Sequence, residues 1–193
     1  MPIDTTQFYD ANAAVYAEDG SVNPRLGAFL GRVRPGGLVL ELGTGSGRDA
    51  RAMIEAGFRV EATDGSAGLA RIASDYLGQA VKVMRFEELA AEAAYDGVYA
   101  SAALLHVQSA FLPEMVGRVH RALLPGGVAW ASFKAGQGEG LDGLGRYYNY
   151  PEPTGLLALW RAAAPWAELS LEGWTGTGYD ERPTEWIAIT AVR

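Results

Sequence analysis

The sequence predicts a doubly wound α/β fold, a largely parallel sheet with helices on both faces. Three observations carry this. Strand-length apolar runs alternate with amphipathic helical stretches along most of the chain. Turn residues punctuate the alternation, as at Pro35-Gly36-Gly37 and Pro125-Gly126-Gly127. The last two strand-like runs are joined by a loop with no room for a helix, so they must pair antiparallel.

Residues 1–33 read as an N-terminal helical cap. "TTQFYDANAAVYAED" forms one helix, with Phe8, Ala11, Val15 and Ala17 on one face and Gly20 as its stop. Asn23-Pro24 offers a cap and first-turn proline for "PRLGAFLGRV". "LVLEL" is a short apolar strand of the kind buried in a parallel sheet. "SGRDARAMIEAG" follows as a helix with Ala50, Met53 and Ile54 inward and Gly57 at its end. "FRVEATD" is the second strand, "SAGLARIASDYLG" a helix capped by Ser66, and "AVKVM" the third strand. "FEELAAEAA" is a short helix and "YDGVYASAAL" the fourth strand. "FLPEMVGRVHRALLPGG" is a helix and "VAWASFK" the fifth strand. A glycine-rich loop over 135–153 leads to the helix "TGLLALWRAAA". "AELSLEGWTGTG" and "TEWIAITAV" form the closing hairpin, and the whole of 1–193 is expected to make one domain.

Composition removes several functional classes. Hydrophobic residues make up 49% and charged residues 20%, ordinary values for a globular chain. No apolar run reaches membrane-spanning length, and the first 20 residues lack a secretory signal's basic and apolar regions, so a cytoplasmic protein is expected. With no cysteine there is no disulfide, thiolate metal site or cysteine nucleophile. Paired-histidine spacing is missing too, and no metal site is expected. The net charge is −7, and the only lysines are Lys82 and Lys134. Without a basic cluster, neither nucleic acid nor an anionic membrane is an expected partner. A monomer or homodimer is expected.

The stretch "VLELGTGSG" carries the first functional signal. A dinucleotide fingerprint, G-x-G-x-x-G, would place its third glycine three positions after Gly45, where Arg48 stands. Instead Gly43, Gly45 and Gly47 alternate, letting the backbone approach a ligand closely at a helix start. Glu41, at the strand end, would repel a pyrophosphate and favour a cationic ligand.

"VLELGTGSG", the acidic strand end "EATDGS" and the closing hairpin together resemble a class I S-adenosylmethionine-dependent methyltransferase, over essentially the whole chain. "YDGVYASAALLHV" and "GRYYNYP" are similar to a bacterial small-molecule subgroup, of the tellurite-resistance type. The resemblance implies a Rossmann-like, seven-stranded sheet in order 3-2-1-4-5-7-6, with strand 7 antiparallel. It implies S-adenosyl-L-methionine as cofactor, with Glu41, Gly43, Thr44, Gly45 and Gly47 near its methionine end. Asp64 would accept from both ribose hydroxyls, since a carboxylate's two oxygens suit a vicinal diol. Capping the next helix is its other possible role, for which Ser66 is better placed. Gly65, Ser66, Phe86 and Glu87 would surround the base, although Phe86 reads equally as core. Relatives often carry an acidic adenine partner just after the third strand, where this chain has Arg85. The N-terminal helix resembles one that closes over the cofactor, bringing Tyr9 and Tyr16 towards the methionine carboxylate; a plain packing helix is the alternative.

Methyl transfer is an in-line displacement that depends mostly on alignment in a dry pocket, with a base needed only if the acceptor loses a proton. His106, beyond the fourth strand, is the catalytic candidate; its alternative is a structural histidine holding a loop. His120, mid-helix beside Arg118 and Arg121, reads as a surface residue. The strand end lacks the D/N-P-P-Y/F signature of amide- or base-nitrogen methylation, so a small-molecule acceptor is expected. Loop 135–153 could be a substrate lid presenting Arg146, Tyr147, Tyr148 and Tyr150 to an anionic or aromatic acceptor. Its alternative is an ordered connection with tyrosines packed on the fold. A non-catalytic S-adenosylmethionine-binding protein fits the same residues, and an NAD-dependent oxidoreductase is disfavoured by the glycine spacing.

Overall fold

The computed structural model describes residues 5–18, 20–178 and 182–193. Its centre is a sheet of seven strands: β1 (Leu38–Leu42), β2 (Arg59–Asp64), β3 (Lys82–Val83), β4 (Tyr95–Ala100), β5 (Leu123–Lys134), β8 (Glu168–Thr177) and β9 (Pro183–Val192). Their order is β3-β2-β1-β4-β5-β9-β8. The first five run parallel, and β9 lies antiparallel to both β5 and β8. Counted within this sheet, that is the expected order 3-2-1-4-5-7-6 with strand 7 antiparallel. The two strands omitted from it, β6 (Glu139–Leu141) and β7 (Tyr147–Asn149), make a separate hairpin inside the stretch read as a loop.

The helices are α1 (Thr5–Ala11), α2 (Ala13–Glu18), α3 (Leu26–Leu30), α4 (Arg48–Glu55), α5 (Ala67–Leu77), α6 (Leu112–Ala122) and α7 (Pro153–Ala163). Strand alternation sorts them onto two faces. Leu40 and Leu42 pack in a cluster with Met115, Val116 and Val119 of α6 and Trp160 of α7. Val39 packs instead with Phe29 of α3, Met53 of α4 and Trp130. Small side chains, Ala50, Ala62, Ala70 and Ala73, let α4, α5 and β2 approach closely.

Several expected elements change in detail. The N-terminal helix divides at Asn12, whose side-chain amide and backbone N–H both donate to the Phe8 carbonyl, at 2.8 Å and 3.1 Å. Its buried face is also different, because Val15 is 58% exposed while Thr5 and Ala13 are buried. "FEELAAEAA" supplies only a 3₁₀ turn, Phe86–Glu88, where the Glu88 carboxylate accepts from the Arg85 N–H at 2.7 Å. Leu89 then leaves the turn in an extended conformation and is buried against the sheet, which prevents further helix. The helix before the fifth strand stops at Ala122, since Leu123 already pairs with Tyr95. Leu123 and Val128 oppose Tyr95 and Gly97, so the prolyl-glycyl segment between them is looped out as a bulge. His120 is half-buried, its ring edge-on to Trp166 at 4.8 Å, rather than free on the surface. Among the described residues no helix is long and apolar enough to cross a membrane.

Candidate functional site

A cavity of about 530 Å³ opens beyond the carboxyl ends of β1, β2 and β4, the position where open α/β sheets bind ligands. Its floor is the glycine loop. Gly43, Gly45 and Gly47 have φ of 73°, 58° and 84°, a region closed to most side chains. A Cβ at Gly43 would sit 2.8 Å from that of Ala103, and one at Gly45 would fill space beside the Tyr16 ring. The loop is therefore a bare backbone cradle. Gly43, Gly45 and Tyr16 line the cavity. Gly47 instead sits against Ala73 and Leu77 of α5, where its missing side chain permits helix packing.

Two buried carboxyls underlie this cradle. Glu41 is fully enclosed, and burial with Asp49 and Asp64 nearby pushes its pKa up to about 8. The Thr44 hydroxyl donates to it, so Glu41 and Thr44 brace the loop from behind and do not form the cavity wall. Asp64 does line the wall. Its Oδ2 accepts from the Gly45 N–H and its Oδ1 from the Ser66 N–H, each at 2.9 Å. Burial outweighs these bonds and raises its pKa to about 6, so it is ionised at neutral pH. Each oxygen keeps a further lone pair. Ser66 caps α5 through the Leu69 N–H, which leaves Asp64 available to a ligand.

The roof is α1 and α2, contributing Thr5, Thr6, Tyr9 and Tyr16. It is tied down at three points. Asp10 accepts from the Gly68 N–H at the start of α5, Arg48 donates to the Ala17 carbonyl at the end of α2, and Thr5 accepts from the Tyr147 N–H.

Under the roof, Tyr9 meets His106, a residue in a 3₁₀ turn just after β4. The His106 Nδ1 lies 2.6 Å from the Tyr147 carbonyl oxygen, which can only accept, so Nδ1 carries the proton. Nε2 is then the acceptor, and the Tyr9 hydroxyl donates to it at 3.0 Å. Burial, despite the Tyr147 bond, lowers the His106 pKa to about 4 and keeps the ring neutral. Burial raises the Tyr9 pKa and keeps its hydroxyl protonated.

The expected acceptor contacts in 135–153 lie behind this pair. Arg146, Tyr147 and Tyr148 are buried and are not among the residues lining the cavity. The Arg146 guanidinium grips Asp142 through Nε at 2.9 Å and Nη2 at 2.7 Å, and lies over the rings of Phe8 and Tyr148. Tyr147 donates to Glu139, and Tyr150 stacks on Tyr148 at 5.6 Å. The hairpin thus carries α1 and the His106 tautomer from outside the cavity.

The far end, beyond Asp64 and Gly65, is apolar. Leu69, Met84, Phe86, Val107 and Met115 form it, with Arg85, Glu87 and Glu114 at the rim. Phe86 and Glu87 line the cavity, as do Glu114 and Met115, which the sequence reading did not single out. Nor did it single out Ser101 and Ala102, which line the cavity at the end of β4. Ala102 has φ +49°, a strained conformation held by its N–H bond to the Ser132 hydroxyl at 2.9 Å.

Residues 39–127 match the family model described as a methyltransferase domain. No curated protein matches the chain. Among solved structures, the Burkholderia thailandensis 1,6-didemethyltoxoflavin-N1-methyltransferase, with S-adenosylhomocysteine bound, is 24% identical. It superposes with a TM-score of 0.75 over 98% of this chain and 85% of that one. A Methanosarcina mazei S-adenosylmethionine-dependent methyltransferase is 14% identical, with a TM-score of 0.77 over 90% of this chain and 99% of that one. The Haemonchus contortus phosphoethanolamine N-methyltransferase 2, in complex with S-adenosyl-L-methionine, is 16% identical, with a TM-score of 0.76 over 99% of this chain and 60% of that one.

Proposed function

We propose that this chain, a methyltransferase with S-adenosylmethionine as its cofactor, transfers the methyl group to an uncharged small molecule bearing an O–H or N–H. The observation that carries this is the Tyr9–His106 pair under the roof of the cavity, with its tautomer fixed by the Tyr147 carbonyl. The residues present fit the cofactor: a side-chain-free cradle at Gly43 and Gly45, a carboxylate with two spare lone pairs at Asp64, and an apolar slot beyond it. When bound, the cofactor supplies a methyl carbon already activated by a sulfonium.

The protein's own work is alignment and proton handling. Asp64 and the glycine loop would hold the cofactor beyond the strand ends. Tyr9 and Thr6 from the roof, with Ser101 and His106 from the β4 end, present uncharged hydrogen-bonding groups to the acceptor. With the cofactor bound, the Tyr9 hydroxyl, donating to His106 Nε2, and the neutral imidazole behind it would take up the proton that an O–H or N–H acceptor loses on methylation.

The acceptor class follows from charge. Arg85, at the far end, is the one cationic side chain among the described lining residues. Arg146 is already neutralised by Asp142. No Lys or Arg among the described lining residues stands beside His106, which favours a neutral acceptor over an anionic one. In this reading residues 1–33 are a cap on a single domain spanning 1–193.

Incubation with methyl-labelled S-adenosylmethionine and fractionated metabolites tests the proposal. Label should move to a neutral, low-mass compound with stoichiometric formation of S-adenosylhomocysteine. Cofactor binding without label transfer to any fraction would favour a non-catalytic binding protein.

A further inference from the structure

The apolar far end of the cavity poses a chemical problem. Relatives of the resembled family often carry an acidic adenine partner after the third strand, where this chain has Arg85, a side chain with no acceptor. An adenine in a slot of Leu69, Met84, Phe86, Val107 and Met115 would leave its amino group unpaired, at a cost, unless another acceptor reaches it.

We infer that Glu114, on the first turn of α6, receives the exocyclic amino group of the cofactor's adenine; this rests on the S-adenosylmethionine reading above. Two carboxylates line this end, Glu87 and Glu114. Glu87 is only loosely paired, its Oε1 3.8 Å from Arg85 Nη1. Glu114 is held more firmly. Arg118 donates to its Oε1 twice, from Nε at 3.1 Å and from Nη2 at 2.8 Å. The same guanidinium is anchored by Nη1 to the Leu89 carbonyl at 3.0 Å, across the chain that follows Phe86. Both bonds to Glu114 fall on one oxygen, so Oε2 keeps its lone pairs for a further donor. Met115, the next residue, is buried in the apolar slot and places the start of α6 against it.

The arrangement orders the cavity along one line. The glycine loop and Tyr16 stand at the methionine end, Asp64 at the ribose, Leu69 and Met84 along the base, and Glu114 at the base's outer edge. A carboxylate there selects for an amino group and against a carbonyl. Replacing adenine by hypoxanthine exchanges that amino group for a carbonyl oxygen, which Glu114 would repel.

Calorimetric titration of the full chain with S-adenosylhomocysteine and with S-inosylhomocysteine tests this without reference to turnover. The wild type should bind the adenosyl ligand about ten- to a hundredfold more tightly, the worth of a hydrogen bond to a charged acceptor. Glu114→Gln offers an amide donor to the carbonyl and should bring the two affinities within about threefold, whereas Glu87→Gln should leave the wild-type ratio intact. Both glutamates are exposed, and thermal melts would confirm that the variants remain folded. An unchanged ratio in Glu114→Gln, a collapse in Glu87→Gln instead, or a wild type with no preference would each overturn the assignment while sparing the cofactor reading. A wild type that binds neither ligand would overturn both.

Discussion

Replacing Asp64 by alanine removes two acceptors that the fold uses and two that a ribose would use. The fold's share is the pair of 2.9 Å bonds from the Gly45 and Ser66 N–H groups. Leaving both donors unpaired costs about 1–3 kcal/mol each, partly offset because a buried carboxyl, held up at about 6 by desolvation, no longer has to ionise. A net loss of about 1–2 kcal/mol corresponds to roughly 2–8 °C in Tm for a chain of this size. The ligand's share is a charge-assisted contact to a vicinal diol worth on the order of 1.5–3 kcal/mol, or roughly ten- to a hundredfold in affinity. Calorimetric titration with S-adenosylhomocysteine at 20 °C, below the variant's melting range, reads the second effect apart from the first. A pH series adds a sign. The raised native pKa means that Asp64 favours the fold most below about 3.8, and that this contribution fades as pH rises through about 6. Ligand affinity should move the opposite way, weakening in the wild type as pH falls below about 6 and staying flatter in Asp64→Ala. A folded variant that binds S-adenosylhomocysteine within twofold of wild type would refute the ribose role.

Further outcomes follow from the same geometry. Glu41 is raised from 4.5 to about 8, so its contribution to stability is present below about 4.5 and is lost as pH climbs through 8. Glu41→Gln, which still accepts from Thr44, should gain stability over wild type by roughly 1.4 kcal/mol per pH unit across much of that window; parallel urea-unfolding profiles would contradict it. His106→Gln should lower turnover at saturation by about 10²- to 10⁴-fold, with Tyr9→Phe milder, while S-adenosylhomocysteine affinity changes little. Because burial holds His106 near 4, the wild-type rate should show no acid limb between pH 6 and 7; a limb at 6.5 would place the ring in a wetter setting. Arg146→Met leaves Asp142 without its bidentate partner and should destabilise by about 3 kcal/mol in denaturant melts, with part of the loss recovered in the Arg146→Met, Asp142→Asn double variant.

The sheet was legible because each of its signals is local. Apolar runs such as "LVLEL" and "VAWASFK", with glycine and proline between elements, specify strand and turn without knowledge of the partner. The glycine loop and Asp64 were legible for the same reason, lying at strand ends whose positions the pattern sets. What was hidden depended on long-range contact or on polarity facing inward. Thr5 looks like a solvent-facing position on a hydrophobicity reading, yet it is buried at the cavity and accepts from the Tyr147 N–H, while apolar Val15 is left outside. The β6–β7 hairpin was read as loop because its three-residue strands sit among glycines. Its register is set by Asp142, which accepts from the Leu144 and Arg146 N–H groups. Arg146 and its tyrosines carry charge and aromatic surface that suggest a ligand, and the fold uses both to hold α1. Glu114 could not be placed beside Phe86 without knowing how α6 crosses the end of the sheet.

A crystal structure of the complex with S-adenosylhomocysteine tests the central claim most directly. The account predicts both ribose hydroxyls on the Asp64 carboxylate, the homocysteine end over Gly43 and Gly45, and the sulfur facing the side of the cavity where Tyr9 meets His106. A ligand bound with its ribose away from Asp64, or with its sulfur turned from His106, would contradict it.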